Sequence, residues 1–126
     1  MNRVIKFRGK RKDTGEWITG GYVEWTDIRG NKQYQIVSSV GYHNDVLSET
    51  VCQFTGLDDK EGREIYEDDI ISDGRVFRVL WDNRMSGFVG EMNCKDDERI
   101  GLAFLITHKV CKIIGNIHDN PELLQI

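Results

Sequence analysis

The stretch ETVCQFTGLDDKEGREIYEDDII, residues 49–71, decides how this chain folds. Apolar and polar residues alternate towards both of its ends, and a period of two is typical of half-buried strands. Between these two strands, a polar reversal runs from Leu57 to Gly62. Gly56 and Gly62 are expected to have positive φ, a backbone conformation that residues with side chains resist.

The alternating pattern continues on both sides of this stretch. Asp73-Gly74 is a dipeptide typical of tight hairpins, and residues 76–81 after it are apolar on both faces, which predicts a central strand. Residues 100–107 fit either a strand or a short helix. Asn120-Pro121 predicts one helical turn, because asparagine suits the N-cap and proline the first helical position. The sequence therefore predicts a mainly β fold with at most short helical turns.

The size and charge of the chain restrict the classes of protein that it fits. Its 126 residues predict a single domain over 1–126, with two possible lobes at 1–60 and 61–126. The net charge of −4 gives no general attraction to nucleic acid or to anionic membranes. The longest mostly apolar run, residues 100–107, is far shorter than the roughly 20 residues of a membrane span. A cytoplasmic protein without a membrane partner is therefore expected.

Thiol and imidazole groups are the first candidates for chemistry. Zinc needs four nitrogen or sulfur ligands at close spacing, and only His108 and Cys111 are near neighbours. Buried structural cysteines and surface histidines are therefore expected, and the odd cysteine count favours a reducing compartment. A cysteine–histidine nucleophile pair stays open, because such residues meet only in space, although no segment resembles a catalytic turn. The candidates are His43, Cys52, Cys94, His108, Cys111 and His118.

An acidic group around the end of the central stretch is the candidate for a hard cation. If Gly62 is aligned with the invariant glycine of a calcium loop, Leu57 falls at position one, where an oxygen ligand is required. The calcium motif therefore fails, and the acids are expected to form a solvated turn. They are Glu64, Glu67, Asp68, Asp69 and Asp73.

A basic strip near the N-terminus is the feature that favours nucleic acid. Aromatic residues, among them Trp17 and Trp25, follow it closely, and small β-barrels grip single strands with basic strands beside aromatic rings. The alternative is a solvated edge strand whose lysines prevent edge-to-edge pairing, with the aromatic residues in the core. The strip consists of Lys6, Arg8, Lys10, Arg11 and Lys12.

Three motifs at consistent spacing give the chain a family resemblance. KFRGKRKDTGEWI at 6–18, the stretch at 49–71 and IIGNIHDNPELL at 113–124 resemble the YopX family, small proteins found in phages and prophages of bacteria. Cys52 and Asp68 stand where the family pattern has glycine, and aspartate is among the few residues that tolerate a left-handed turn. The resemblance implies a mainly β fold whose C-terminal half forms an SH3-like barrel. It implies no established activity, cofactor or catalytic residue.

The functional expectation is a non-enzymatic phage or prophage accessory protein without a cofactor. It would act in the cytoplasm of the bacterial host by binding a host or phage protein, or another copy of itself. Nucleic-acid binding through the basic strip is the alternative, and a metal- or thiol-dependent enzyme is a minor third hypothesis. The residues expected to shape turns are Gly56, Gly62, Asp68 and Gly74.

Overall fold

The alternating segments form strands, and these strands pair into two antiparallel sheets. The computed structural model describes residues 2–107 and 110–124. The only α-helix in that part of the chain, α1 (Leu102–Ile106), has five residues, so the expected mainly β class is confirmed. Neither sheet is closed into a barrel among the described residues. The chain divides into two compact units, Met1–Phe54 and Thr55–Ile126.

The first unit consists of antiparallel hairpins. Its strands are β1 (Phe7–Lys10), β2 (Trp17–Thr26), β3 (Lys32–Val37), β4 (His43–Asp45) and the beginning of β5 (Cys52–Asp58). They pair in the order β4-β3-β2-β1-β5. Asp27 shapes the β2–β3 turn, since its Oδ1 accepts the backbone N–H groups of Arg29 and Asn31 at 2.9 and 2.8 Å.

One face of this sheet forms the core of the first unit. Ile36 and Val46 are fully buried there, and the rings of Phe7 and Tyr22 lie 5.7 Å apart. Gly9 allows β1 to approach Val46, because a Cβ at Gly9 would lie 3.2 Å from the Val46 Cβ. The opposite face of β2, β3 and β4 is consequently left to solvent.

The second unit contains the larger core. It holds the rest of β5, then β6 (Glu64–Tyr66), β7 (Asp69–Ser72), β8 (Val76–Asp82), β9 (Gly87–Met92), β10 (Arg99–Gly101), α1 and β11 (Lys112–Asn116). The second sheet has the order β10-β9-β8-β7-β11, so β8 is central, as its two apolar faces predict. Residues 100–107 contain both alternatives, the end of a strand and a helix.

Helix α1 closes one side of this core. Leu102 and Leu105 are buried at a helical spacing of three, beside Phe77 and Val79 of the central strand. Gly90 of β9 makes the approach possible, since a Cβ there would lie 2.5 Å from the Leu105 Cδ1.

The boundary between the units falls inside strand β5. The first residues of β5 pair with β1 in the first unit, where Cys52 lies opposite Arg8. Its later residues belong to the second unit, where the Thr55 hydroxyl donates a hydrogen bond to the Ile65 carbonyl oxygen at 2.7 Å.

Candidate functional site

The solvent-facing side of β2, β3 and β4 carries an unusual set of side chains. Strand register puts Val23 opposite Gln35, and Gln35 opposite Asp45, so these side chains share one face. Trp25 pairs in the same way with Gln33. The set, called the Trp25 face below, consists of Val23, Trp25, Gln33, Gln35, Val37, His43 and Asp45.

Gln35 organises this face through hydrogen bonds. Its Oε1 accepts the indole N–H of Trp25 at 3.2 Å and lies 3.1 Å from Nδ1 of His43. Its Nε2 donates to Oδ1 of Asp45 at 3.0 Å. One amide on the middle strand therefore fixes side chains on both neighbouring strands, although all of them are accessible to solvent.

Trp25 presents an open aromatic ring. The side chain is 46% exposed, and its ring makes no aromatic or cation contact with the described part of the chain. Trp17 on the same strand differs, because the Arg8 guanidinium lies 4.6 Å and the Lys10 ammonium 5.3 Å from its ring centroid. Apolar residues are also exposed at the two ends of the hairpin, with Ile28 in one turn and Tyr42 in the other.

A polar hollow of about 210 Å³ adjoins the Trp25 face and shares His43 and Asp45 with it. Arg11 lines the hollow but is paired, since it donates to both carboxylate oxygens of Asp13 at 3.0 and 2.8 Å. This hydrogen-bonded pairing with Arg11 lowers the pKa of Asp13. Lys12 also lines the hollow, and its residue is exposed.

The structure brings together only part of the predicted basic strip. Lys6, Arg8 and Lys10 alternate along β1 and share one of its faces, where the Lys6 ammonium lies 5.1 Å from the Phe54 ring centroid. Arg11 and Lys12 follow the end of β1 and line the polar hollow instead. The alternative interpretation of this segment as a solvated edge strand is wrong, because β1 lies between β2 and β5 and is half-buried.

The expected solvated acidic turn is also wrong, because most of its carboxylates have partners. Asp69 is only 2% exposed, and its Oδ2 accepts the backbone N–H of Tyr66 at 2.8 Å. Asp68 accepts a hydrogen bond from Arg78 at 3.1 Å, and its other oxygen lies 2.9 Å from Nε2 of His118. These acids shape the β6–β7 turn rather than facing water.

A third acid of that group, Asp73, is held in the next turn. Its two carboxylate oxygens accept hydrogen bonds from Nε and a terminal nitrogen of Arg75 at 3.2 and 2.8 Å. The Arg75 side chain and a backbone N–H lower the pKa of Asp73. Glu64 is exposed and Glu67 is half-buried.

The turn residues singled out in the sequence adopt left-handed backbone conformations. The φ values are 85° at Gly56, 78° at Gly62 and 107° at Gly74. Asp68, which replaces the glycine of the family pattern, has φ of 71°. These four positions therefore need glycine or a residue that tolerates positive φ.

The thiol and imidazole candidates differ in how far they are exposed to solvent. Cys111 is buried, its Sγ donates to the Leu105 carbonyl oxygen at 3.4 Å, and burial raises the pKa of its thiol. Cys52 is also buried, whereas Cys94 is exposed, contrary to the expectation of uniformly buried cysteines. His43 is exposed as expected, but His118 is largely buried beside Asp68. His108 lies outside the described residues.

Comparison with known proteins now identifies the chain. The sequence pattern of the family described as YopX protein matches residues 6–125, nearly the whole chain. The chain belongs to the YopX family. A search of curated proteins finds no match.

The YopX fold described above also resembles a solved structure. The crystal structure of protein EF1440 from Enterococcus faecalis superposes with a TM-score of 0.63 at 22% sequence identity. The match covers 98% of this chain and 100% of that one. At this identity the likeness establishes a shared fold and leaves the function open. No helix among the described residues of this YopX chain is long and apolar enough to span a membrane.

Proposed function

We propose that this YopX protein acts by binding a protein partner through the Trp25 face, and not by catalysis. The observation that carries the proposal is the Trp25 ring, which is exposed although its N–H is fixed by Gln35. Tryptophan is enriched among the residues that contribute most to protein interfaces. The centres of such interfaces are also depleted of charged residues, and the Trp25 face contains no lysine, arginine or glutamate.

The partner and the setting are proposed from the family resemblance of the sequence motifs alone. The partner is a host or phage protein, or a second copy of the chain, and the setting is the bacterial cytoplasm during phage or prophage growth. We propose, from its strand order, that the second unit is an SH3-like fold whose sheet is not closed among the described residues. Strands β7 to β10 form a meander, α1 follows, and β11 returns beside β7. SH3-like folds serve many unrelated functions, so this likeness supports a binding scaffold only as an analogy.

The test compares two tryptophans of equal exposure. Trp25 and Trp81 are 46% and 45% exposed, and each donates its N–H to a side-chain oxygen. A photo-crosslinking residue at Val23 captures the partner in host cells, and titration calorimetry then measures binding of the purified partner. Trp25→Ala should weaken binding by at least about 30-fold, as expected for a hot-spot residue worth 2 kcal/mol. Trp81→Ala should change it by less than about 2-fold, which is the usual result outside an interface.

Equal affinity of the purified partner for wild type and Trp25→Ala would contradict the proposal. Circular dichroism of both variants separates loss of contact from loss of folding. Capture of nucleic acid alone would favour the second candidate function.

That second candidate is nucleic-acid binding through β1. It is supported by the three cations on one face of that strand, Lys6, Arg8 and Lys10, beside Trp17. Anisotropy titrations with single-stranded oligothymidylate give its signature, a logarithmic salt slope of about −2 for three phosphate contacts. The slope should become shallower in Lys6→Gln and stay unchanged in Trp25→Ala. A lack of binding at low salt would remove this candidate.

A further inference from the structure

We infer that the Trp25 face recognises an arginine side chain of its protein partner. The inference rests on the proposed function and deepens it, because it names the chemistry that the partner presents. In the complex, a guanidinium group stacks on the Trp25 ring and pairs with the Asp45 carboxylate. Three observations lead to this assignment: the unused hydrogen-bonding atoms of the face, its charge, and the way this chain uses its other aromatic rings.

The charged and imidazole atoms that remain on the face are acceptors, and its remaining donors are the second amide hydrogens of Gln33 and Gln35. Because Trp25 donates to Oε1 of Gln35 and Asp45 accepts from its Nε2, the orientation of the Gln35 amide is determined. Oε1 can only accept, so the His43 Nδ1 beside it carries a proton, and Nε2 in that tautomer is an acceptor. Asp45 Oδ2 is a second acceptor. A ligand that offers donors and no acceptors fits this arrangement, and a guanidinium group has five N–H donors.

The charge of the face favours a cation. Asp45 is its one carboxylate and the set contains no lysine or arginine, although strand register places Arg8 and Lys10 of β1 further along the same side of the sheet, opposite Thr19 and Trp17. Arg11 in the adjoining hollow is already paired with Asp13. Lys12, also in that hollow, is the cation that opposes this charge, and its exposed, flexible side chain can turn away.

Guanidinium groups cover two other aromatic rings of this chain, whereas the Trp81 ring packs edge-to-face with Phe88 at a centroid distance of 5.2 Å. The Arg8 guanidinium lies 4.6 Å from the Trp17 centroid, and the Arg75 guanidinium lies 5.1 Å from the Phe77 centroid. Trp25 has the same kind of aromatic surface without such a cover among the described residues. Attraction between a cation and the face of an aromatic ring is strongest for tryptophan.

Arginine fits better than lysine because the ring and the carboxylate are both bound to the same side-chain amide. Gln35 Oε1 lies 3.2 Å from the Trp25 Nε1, and Gln35 Nε2 lies 3.0 Å from the Asp45 Oδ1. A planar guanidinium can stack with one surface while its edge donates two parallel hydrogen bonds to a carboxylate. An ammonium group is a point charge and cannot do both.

The test uses a short peptide with one arginine and its neutral isostere. The probe is acetyl-Gly-Gly-Arg-Gly-Gly-amide, and the control peptide has citrulline in place of arginine. Two-dimensional NMR follows the indole N–H of Trp25 and the side-chain amide of Gln35, with the indoles of Trp17 and Trp81 as internal references. The arginine peptide should shift the Trp25 and Gln35 signals with millimolar affinity, and the citrulline peptide should bind at least about 5-fold more weakly.

Two variants of the protein complete the test. Trp25→Leu and Asp45→Asn should each weaken binding of the arginine peptide by about 2- to 5-fold, the range for an exposed cation–π contact or ion pair. Asp58→Asn, which removes an exposed carboxylate elsewhere, is the matched control and should change nothing. Equal shifts with both peptides, or no response of Trp25 to arginine, would overturn the inference. A response of Trp25 to cellotetraose alone would reassign the face to neutral sugars.

The experiments distinguish a failure of the arginine assignment from a failure of the proposed protein binding. If the captured partner depends on Trp25 but binds equally well after its interface arginine is replaced by glutamine, the arginine assignment fails and protein binding stands. If the arginine peptide binds as expected while crosslinking from Val23 captures no protein, the proposed function fails and the chemistry of the face stands.

Discussion

Asp59 is a buried carboxylate that ties a turn to a distant strand. Its side chain is fully buried, and it accepts backbone N–H groups from Glu61, Arg63 and Ile113 at 2.9, 2.9 and 3.0 Å. Burial alone would raise the pKa of this carboxyl group, but the three N–H donors and the Arg63 charge outweigh it, so the pKa is lowered. The ionised form therefore stabilises the fold.

The Asp59 carboxylate predicts a specific pH dependence of stability. Because its pKa in the folded state is below the ordinary value of 3.8, its contribution is complete above pH 3.8 and is lost as pH falls through the lower, folded value. Asp59→Asn should reduce the free energy of unfolding at pH 7 by about 2 to 3 kcal/mol. This difference from wild type should shrink as the pH falls below the folded-state pKa of Asp59. Urea titrations of both proteins across the acid range measure this difference in the free energy of unfolding. The exposed Asp58→Asn is the control, and a constant difference at all pH values would contradict the prediction.

Gly62 predicts a cost that arises from backbone conformation alone. Its φ is +78°, and a Cβ added there would meet no atom within 4 Å. Gly62→Ala should therefore lower the free energy of unfolding by about 1 to 2 kcal/mol, and Gly62→Asn by less, because asparagine tolerates this region. Gly21→Ala is the matched control, since that site has equal space and no positive φ. Urea denaturation decides, and an alanine variant as stable as wild type would refute the argument.

For single residues, the sequence predicts backbone conformation better than it predicts the partners of side chains. Gly56 and Gly62 could be identified because positive φ leaves a local signature, which is glycine in a polar reversal. Asp59 and Gln35 could not, because their roles depend on partners that folding supplies. The backbone N–H of Ile113, which donates a hydrogen bond to Asp59, is 54 residues away in the sequence. The solvated acidic turn was wrong for the same reason, since Arg78 and His118 are distant in sequence from Asp68.

Among the elements, α1 depends on the glycine beneath it. A Cβ on Gly90 would lie 2.5 Å from Leu105 Cδ1 and 3.1 Å from Phe77 Cβ. Gly90→Ala should therefore destabilise the protein by about 1 to 3 kcal/mol through overpacking. Gly87→Ala on the same strand, where the nearest atom would be 3.8 Å away, should be close to neutral.

A double-mutant cycle tests whether the helix causes this cost. Leu105→Ala removes the atom that Gly90→Ala would strike, so the double variant should be more stable than the sum of the two single changes implies. Thermal unfolding of all four proteins gives the coupling energy. Strict additivity would show that α1 does not press on Gly90.

Helix α1 also shows why residues 100–107 could not be assigned from sequence. The segment is apolar enough for either structure, and it is divided, with β10 ending at Gly101 and the helix starting at Leu102. Tertiary burial of Leu102 and Leu105 decides the helical part. The central position of β8 in the strand order was predictable, because a strand that is apolar on both faces is typical of the interior of a sheet.

For the whole molecule, the distribution of buried side chains predicts unequal local stability. The second unit holds a cluster of seven buried residues that includes Phe77 and Val79, whereas the end of β2 at Glu24–Thr26 is exposed. Native-state hydrogen exchange by NMR should therefore show the slowest amides in β8 and much faster exchange at residues 24–26. Similar protection in the two segments would contradict this picture.

The exposed end of the β2–β3 hairpin has a consequence for how such proteins diversify. Residues 24–33 contribute no fully buried side chain, so substitutions there cost folding little except at Asp27 and Gly30, which shape the turn. A lineage can therefore rewrite this tip generation after generation while the scaffold around residues 49–71 is inherited intact. If the Trp25 face binds the partner as proposed, transplanting the tip from one relative to another should exchange their targets.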